Sequence, residues 1–157
     1  MTEPETNDKK ITRFTSLIKL NPNNGVNYYK RGIAYSDNGQ IKLALADFNK
    51  AIELDDKEAL YYYVRGMLIL NHGNQRKALI DLGIATILDP DSLLLLSGRA
   101  DALQKLGKLD KALADCNKVL KKDSKYRLDL YVRQRVYKSM GSDELAKADA
   151  DLIEALS

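Results

Sequence analysis

The chain is poor in the residues that mark most enzymes and secreted proteins. Among 157 residues there is no tryptophan, one cysteine, one histidine and three prolines. A lone cysteine, Cys116, excludes an internal disulfide and fits a reducing compartment. With a lone histidine, His72, there is no cluster of metal ligands, and no serine or cysteine nucleophile has a second histidine to activate it. His72 falls on the last turn before Gly73, where an imidazolium favours a helix C-terminus. The glycines are spaced for helix ends and form no phosphate-cradling loop. No enzymatic activity, no metal and no cofactor are therefore expected. No apolar run approaches the ~20 residues that cross a bilayer. The opening stretch 1–8 is polar and acidic, the reverse of a secretory signal, so a cytoplasmic location is expected. A net charge of +3 is too small to imply nucleic acid by itself.

What the chain does have is a repeat. Gly39, Gly73, Gly107 and Gly141 are spaced 34 residues apart. Arg31, Arg65, Arg99 and Arg133 keep the same step, as do Ala44, Ala78, Ala112 and Ala146, and Asp47, Asp81, Asp115 and Asp149. A fixed period between about 20 and 50 residues is the signature of a repeat solenoid.

One unit explains the rest. Residues 26–38 place Tyr28, Gly32 and Tyr35 on one helical face, and 41–54 do the same with Ala44, Phe48 and Ala51. Gly39 between them takes the left-handed backbone that ends a helix. Two helices about 20 Å long, joined by a short turn, form an antiparallel hairpin. Gly32 and Ala44 are expected to face each other, with Tyr28 and Phe48 filling the wider gap away from the turn. Gln134 replaces the small residue in the fourth unit, which predicts a splayed hairpin there. Each hairpin leaves one apolar face for its neighbour to cover.

The pattern resembles the tetratricopeptide repeat family over residues 21–157. Tyr-Tyr-Lys-Arg-Gly-Ile-Ala-Tyr at 28–35 and Ala-Leu-Ala-Asp-Phe-Asn-Lys-Ala-Ile at 44–52 match it best. Tyr28, Tyr62, Leu96 and Leu130 stand where the family usually has tryptophan. The resemblance implies an all-α fold, a right-handed solenoid of stacked antiparallel helical hairpins. It divides the chain into repeats 25–58, 59–92, 93–126 and 127–157. A half repeat at 8–24 is expected before them, because Phe14 lies one period before Phe48, the alternative being an unrelated N-terminal cap helix, and residues 1–7 are expected to be disordered.

The arginine and aspartate ladders read as structure rather than as a ligand site. Arginine buries its stem while the guanidinium pairs with a carboxylate. Asp47 with Arg65, Asp81 with Arg99 and Asp115 with Arg133 would tie consecutive hairpins together, the rival geometry being a pair inside one hairpin. Cys116 takes the place of Phe48 and is expected to be a small buried hydrophobe. The basic residues of the C-terminal third read first as a solvated face, and RNA is disfavoured because no aromatic platform is interleaved with them.

In the family, first helices line a concave groove. Position by position, the resemblance places Val26, Tyr29 and Ile33 there, then Leu60, Tyr63, Met67 and Leu70, then Leu94, Asp101, Gln104 and Lys105, then Leu128, Tyr131, Arg135 and Lys138, the alternative for Leu60, Leu94 and Leu128 being that they pack between helices. The peptide-binding candidates are Tyr29, Ile33, Tyr63, Met67, Leu70, Tyr131, Arg135 and Lys138, apolar first and basic last. They suit a protein or peptide partner with apolar anchors and an acidic end. Members that hold acidic chaperone tails use a lysine, asparagine and arginine clamp. The matching places here are Tyr29, Ile33, Val64, Leu94 and Gly98, so that role is unsupported. The function expected is a peptide-binding interaction scaffold, and the alternative is a dedicated holding chaperone. Both ends of the array risk bare apolar surface, which predicts a homodimer through an uncapped end, with Phe14 the first candidate contact.

Overall fold

A computed structural model describes residues 5–156. Among these it contains nine helices and no strand: α1 (Asn7–Leu20), α2 (Gly25–Asp37), α3 (Ile41–Leu54), α4 (Ala59–Asn71), α5 (Gln75–Leu88), α6 (Leu93–Lys105), α7 (Leu109–Lys122), α8 (Arg127–Ser139) and α9 (Asp143–Ala155). Of the segment expected to be disordered, residues 1–4 lie outside those described. Thr6 instead caps α1 by accepting from the Lys9 amide, and Asn7 opens the helix.

The four hairpin turns are built alike. Gly39, Gly73, Gly107 and Gly141 have φ of 72°, 82°, 70° and 72°. The glycine amide donates three residues back, and the next amide five back, as in Gly39 to Ser36 (2.9 Å) and Gln40 to Tyr35 (2.8 Å). This is the Schellman closure, which satisfies carbonyls that the helix end leaves orphaned. Gly39→Ala should cost about 1 kcal/mol by chemical denaturation. Gly83→Ala is the contrasting case, because Gly83 has ordinary helical φ and open space around its missing Cβ. That change should instead stabilise by up to about 1 kcal/mol.

Helices α2, α4, α6 and α8 touch one another across the array, whereas α3, α5, α7 and α9 do not. The stack therefore curves with the first helices inside. Between the helices of each hairpin the core is small and dry, with Ala44, Phe48, Ala78, Leu82, Ala112, Cys116 and Ala146 all at most 2% exposed.

One expectation about the core is corrected. Gly32 does not face Ala44: a Cβ there would stand 2.6 Å from the Phe48 ring. Antiparallel pairing about a turn at Gly39 and Gln40 sets residue 32 opposite 48, so the glycine exists to admit that ring. The fourth hairpin carries the same ion pair as the others, Arg133 with Asp149, and Gln134 is half-buried beside it.

The ion-pair ladder also differs from expectation. Each arginine pairs inside its own hairpin: Arg31 with Asp47, Arg65 with Asp81, Arg99 with Asp115 and Arg133 with Asp149. The bonds are bidentate, with Arg65 Nε and Nη2 donating to the two Asp81 oxygens at 2.7 and 2.8 Å. The remaining nitrogen, Nη1, reaches back to the preceding second helix. It donates to Thr15 from Arg31, to Asn49 from Arg65 and to Asn117 from Arg133. The guanidinium fork thus closes one hairpin and ties it to the one before, through a neutral oxygen rather than a second carboxylate. Thr15 occupies in α1 the register that Asn49 occupies in α3.

Phe14 has no vacancy beside it. It is 7% exposed, with the Arg13 guanidinium 4.6 Å and the Lys30 ammonium 5.9 Å from its ring centre. The argument for a dimer through Phe14 therefore falls away. Among the described residues no helix is long and apolar enough to cross a membrane.

Candidate functional site

The inner face is built from α2, α4, α6 and α8. Val26, Leu60, Leu94 and Leu128 occupy one register, and each keeps 39–47% of its surface exposed, so they form a rail rather than packing between helices. Tyr29 lies beside the rail with its ring 5.4 Å from that of Tyr61 at a 33° tilt, a geometry aromatic pairs favour. Burial raises the Tyr29 phenol above its usual range, and the Glu58 charge adds to the rise.

Between α2 and α4 a crevice of about 220 Å³ opens, lined by Ile33, Ser36, Tyr63, Val64, Met67 and Asn71 among others. Three of the expected site residues, Ile33, Tyr63 and Met67, converge here. Ser36, Phe48, Val64, Leu68 and Asn71 complete the lining, and of these Ser36, Leu68 and Asn71 were not singled out in the sequence. Ser36 and Asn71 sit one helical turn beyond Ile33 and Met67, so the helical period could have found them.

The crevice wall has a second duty. A Cβ at Gly98 would lie 2.6 Å from the Tyr63 ring and 3.2 Å from the Met67 sulfur, so both side chains also wedge against α6. Burial raises the Tyr63 phenol, with smaller contributions from Tyr126 and Asp101. Leu70 is not available to a ligand: it is 3% exposed and packs with Ala78, Leu82 and Ala102.

The C-terminal half of the face is polar. Tyr131 is 43% exposed, and its hydroxyl accepts from Arg127. Asp101 is shared by Lys105, at 2.8 Å, and by Arg135. Lys138 follows Arg135 by one turn and is exposed. Two of the three cations, Lys105 and Arg135, therefore share one carboxylate, which leaves a weaker positive field than the arginine and lysines alone suggest. The other basic residues divide among structural tasks. Arg133 belongs to the ladder, while Lys118 and Lys122 hold the loop before α6 through Pro90 and Asp91.

The chemically reactive side chains are buried or capped. His72 Nδ1 is 2.8 Å from the Leu68 carbonyl at the end of α4. Cys116 is fully buried, and burial first, then the charge of Asp129, raises its thiol. Among the described residues no group of three or more His, Cys, Asp or Glu side chains could hold a metal.

Models of the tetratricopeptide repeat match residues 28–58 and again 95–126. No curated protein matches the chain. Among solved structures, MamA superposes with a TM-score of 0.83 at 20% identity, over 99% of this chain and 96% of its own. YrrB, a TPR protein with an unusual peptide-binding site, superposes at 0.81 and 20% identity, over 96% of this chain and 78% of its own. The first TPR of Spaghetti (RPAP3), bound to the HSP90 peptide SRMEEVD, gives 0.72 at 18% identity, over 76% and 94%. At such identities the likeness speaks for the fold. The repeat models, the 34-residue ladders and the stacked hairpins agree, and the chain belongs to the tetratricopeptide repeat family of interaction scaffolds.

Proposed function

We propose that the chain holds a peptide segment of a partner protein along its inner face. The observation that carries this reading is the crevice between α2 and α4, an open apolar slot bounded by Ile33, Tyr63 and Met67 beside the exposed rail. A slot of this kind takes a discrete side chain, while the rail and Tyr131 flank the rest of the segment. The cations at Lys105, Arg135 and Lys138 favour carboxylates at the partner's other end. Two similar folds carry peptide sites or peptides in their own right, which supports this choice of ligand class. The acidic-tail clamp is not part of the proposal, because Tyr29, Ile33, Val64, Leu94 and Gly98 supply none of its polar groups.

Selection from a displayed random-peptide library tests the reading. Enriched peptides should combine a large apolar residue with downstream Asp or Glu. Ile33→Asp should weaken them by about 2 kcal/mol, as expected for an anchor in a desolvated pocket. Arg135→Glu should discriminate selectively against the acidic ones. Tyr63→Ala is a poorer test, since it also removes the contact on Gly98. Because Ile33 packs against Ala44, Phe48 and Leu68, Ile33→Asp is read with an unchanged melting temperature as the control. Enriched peptides that bind Ile33→Asp and Arg135→Glu as well as wild type would move the site off this face.

A further inference from the structure

Because the chain repeats itself, each hairpin is a control for the others, and α5 departs from its register mates on the outer face. Its outward positions are Ile80, Gly83, Ile84 and Ile87. One period earlier they are Ala46, Asn49, Lys50 and Glu53, and one period later Ala114, Asn117, Lys118 and Lys121. Ile80 is 65% exposed and Ile87 77%. The departure alters the ladder too: with glycine at 83, Arg99 Nη1 has no asparagine to reach and donates to Thr86 instead. A helix that should be polar toward solvent is apolar there, and clustered exposure of this kind marks an interaction surface more than chance.

Ile80 stands between two crevices. One of about 420 Å³ is lined by Arg76, Leu79, Ile80, Leu106 and Lys108. The other, about 320 Å³, lies toward α3 and includes Leu45, Ile69 and Lys77. Arg76 and Lys108 make no ion pair among the described residues. In the preceding junction the places of Arg76, Ile80, Leu106 and Lys108 fall to Lys42, Ala46, His72 and Asn74, and in the following one to Asp110, Ala114, Met140 and Ser142. Of the three junctions, this one alone joins an exposed isoleucine ridge to two unpaired cations.

We propose that the outer face at α5 is a second docking surface, taking an acidic amphipathic helix of another protein. Its apolar side chains would lie on Ile80, Ile84 and Ile87 and enter the slot floored by Leu79 and Leu106. Its carboxylates would meet Arg76 and Lys108. The charges decide the occupant. Arg76, Lys77 and Lys108 on two copies of this face would repel, which disfavours self-association. The slots on either side of Ile80 receive individual side chains, a feature that binding to a lipid surface does not use. This surface is independent of the inner groove, so the two proposals stand or fall separately.

The test titrates the full chain against a labelled peptide of about 18 residues, with leucines on one helical face and glutamates elsewhere, followed by fluorescence anisotropy. The same peptide with lysine in place of glutamate is the control. The acidic peptide should bind and the basic one should not. Ile80→Glu and Lys108→Glu should each weaken binding by about tenfold or more, while Ile33→Asp leaves it unchanged. Both exchanged side chains are exposed, and an unchanged melting temperature confirms folding. Equal binding of the two peptides, indifference to Ile80→Glu, or loss on Ile33→Asp would overturn the proposal. So would binding to phosphatidylserine-containing vesicles that Ile87→Glu abolishes, or a dimer that Ile80→Glu dissociates, since either would give the face another occupant.

Discussion

Arg65→Ala should lower the unfolding free energy by about 3 kcal/mol or more, the range for removing one partner of a buried pair. Asp81 would lose both hydrogen bonds at 2.7 and 2.8 Å while its side chain is only 7% exposed, leaving a carboxylate with no counter-charge. The bond to Asn49 at 2.7 Å goes as well, loosening α3 from α4. Asp81→Ala should cost less, because the Arg65 side chain keeps 21% exposure and can turn to water. Replacing both by leucine should recover much of the loss, since a buried pair contributes register more than net stability. Urea denaturation of the two single variants and the double variant measures all three. Equal costs for the single variants would mean that water reaches Asp81 more freely than its burial allows.

Asp129→Asn and Asp129→Leu should stabilise the protein at neutral pH, by up to about 3 kcal/mol. Asp129 is fully buried at the third and fourth hairpins, and its carboxyl is pushed up to about 6, chiefly by burial. The hydrogen bond with Ser97, the neighbouring Cys116 thiol and the charge of Arg133 oppose the rise, while Asp115 adds to it. The local bonding fits a neutral acid. Ser97 has one hydroxyl proton and two acceptors, the Leu93 carbonyl at 2.8 Å and Asp129 Oδ2. If Asp129 is protonated it donates to Ser97, which donates in turn to Leu93, and every proton is placed.

The sign follows from the raised value. Below about pH 4 the acid is neutral in both folded and unfolded chains and contributes nothing. Between about 4 and 6 only the folded chain keeps the proton, so this group's contribution falls as pH rises. Above about 6 the full penalty of a buried charge persists. The Leu variant imports the residue that Leu95 supplies one period earlier. Both variants should therefore gain over wild type at pH 7.5 and match it near pH 3.5 in thermal melts. A gain that is the same at both pH values would refute the titration.

The hairpins were legible because their signals are local. A glycine at φ near +70° and a stripe of alanines at helical spacing act within a few residues, so Gly39, Gly73, Gly107 and Gly141 fall where the period put them. The ladder partners were not legible, for a definite reason. Asp47 lies 16 residues after Arg31 and 18 before Arg65, so spacing hardly separates the two. What separates them is the facing of the two helices of one hairpin, which also decides that Gly32 meets Phe48 rather than Ala44. The inner face was legible as a set of positions, through the family resemblance, but not as a surface. Leu70 turned out to be buried, and Asp101 neutralises part of the positive charge of Arg135, because both depend on the neighbouring helix α6. The isoleucine row on α5 was visible all along in the repeat alignment, but exposure was needed to distinguish it from core.

The central claim, that the inner face holds the partner, is tested most directly by isoleucine-methyl NMR. A library-selected peptide is titrated into the chain, and the methyl resonances of Ile33, in the crevice, are compared with those of Ile80 and Ile87 on the outer face. The account predicts a large saturating shift at Ile33 with Ile80 and Ile87 unmoved. Shifts confined to Ile80 and Ile87, with Ile33 silent, would contradict it.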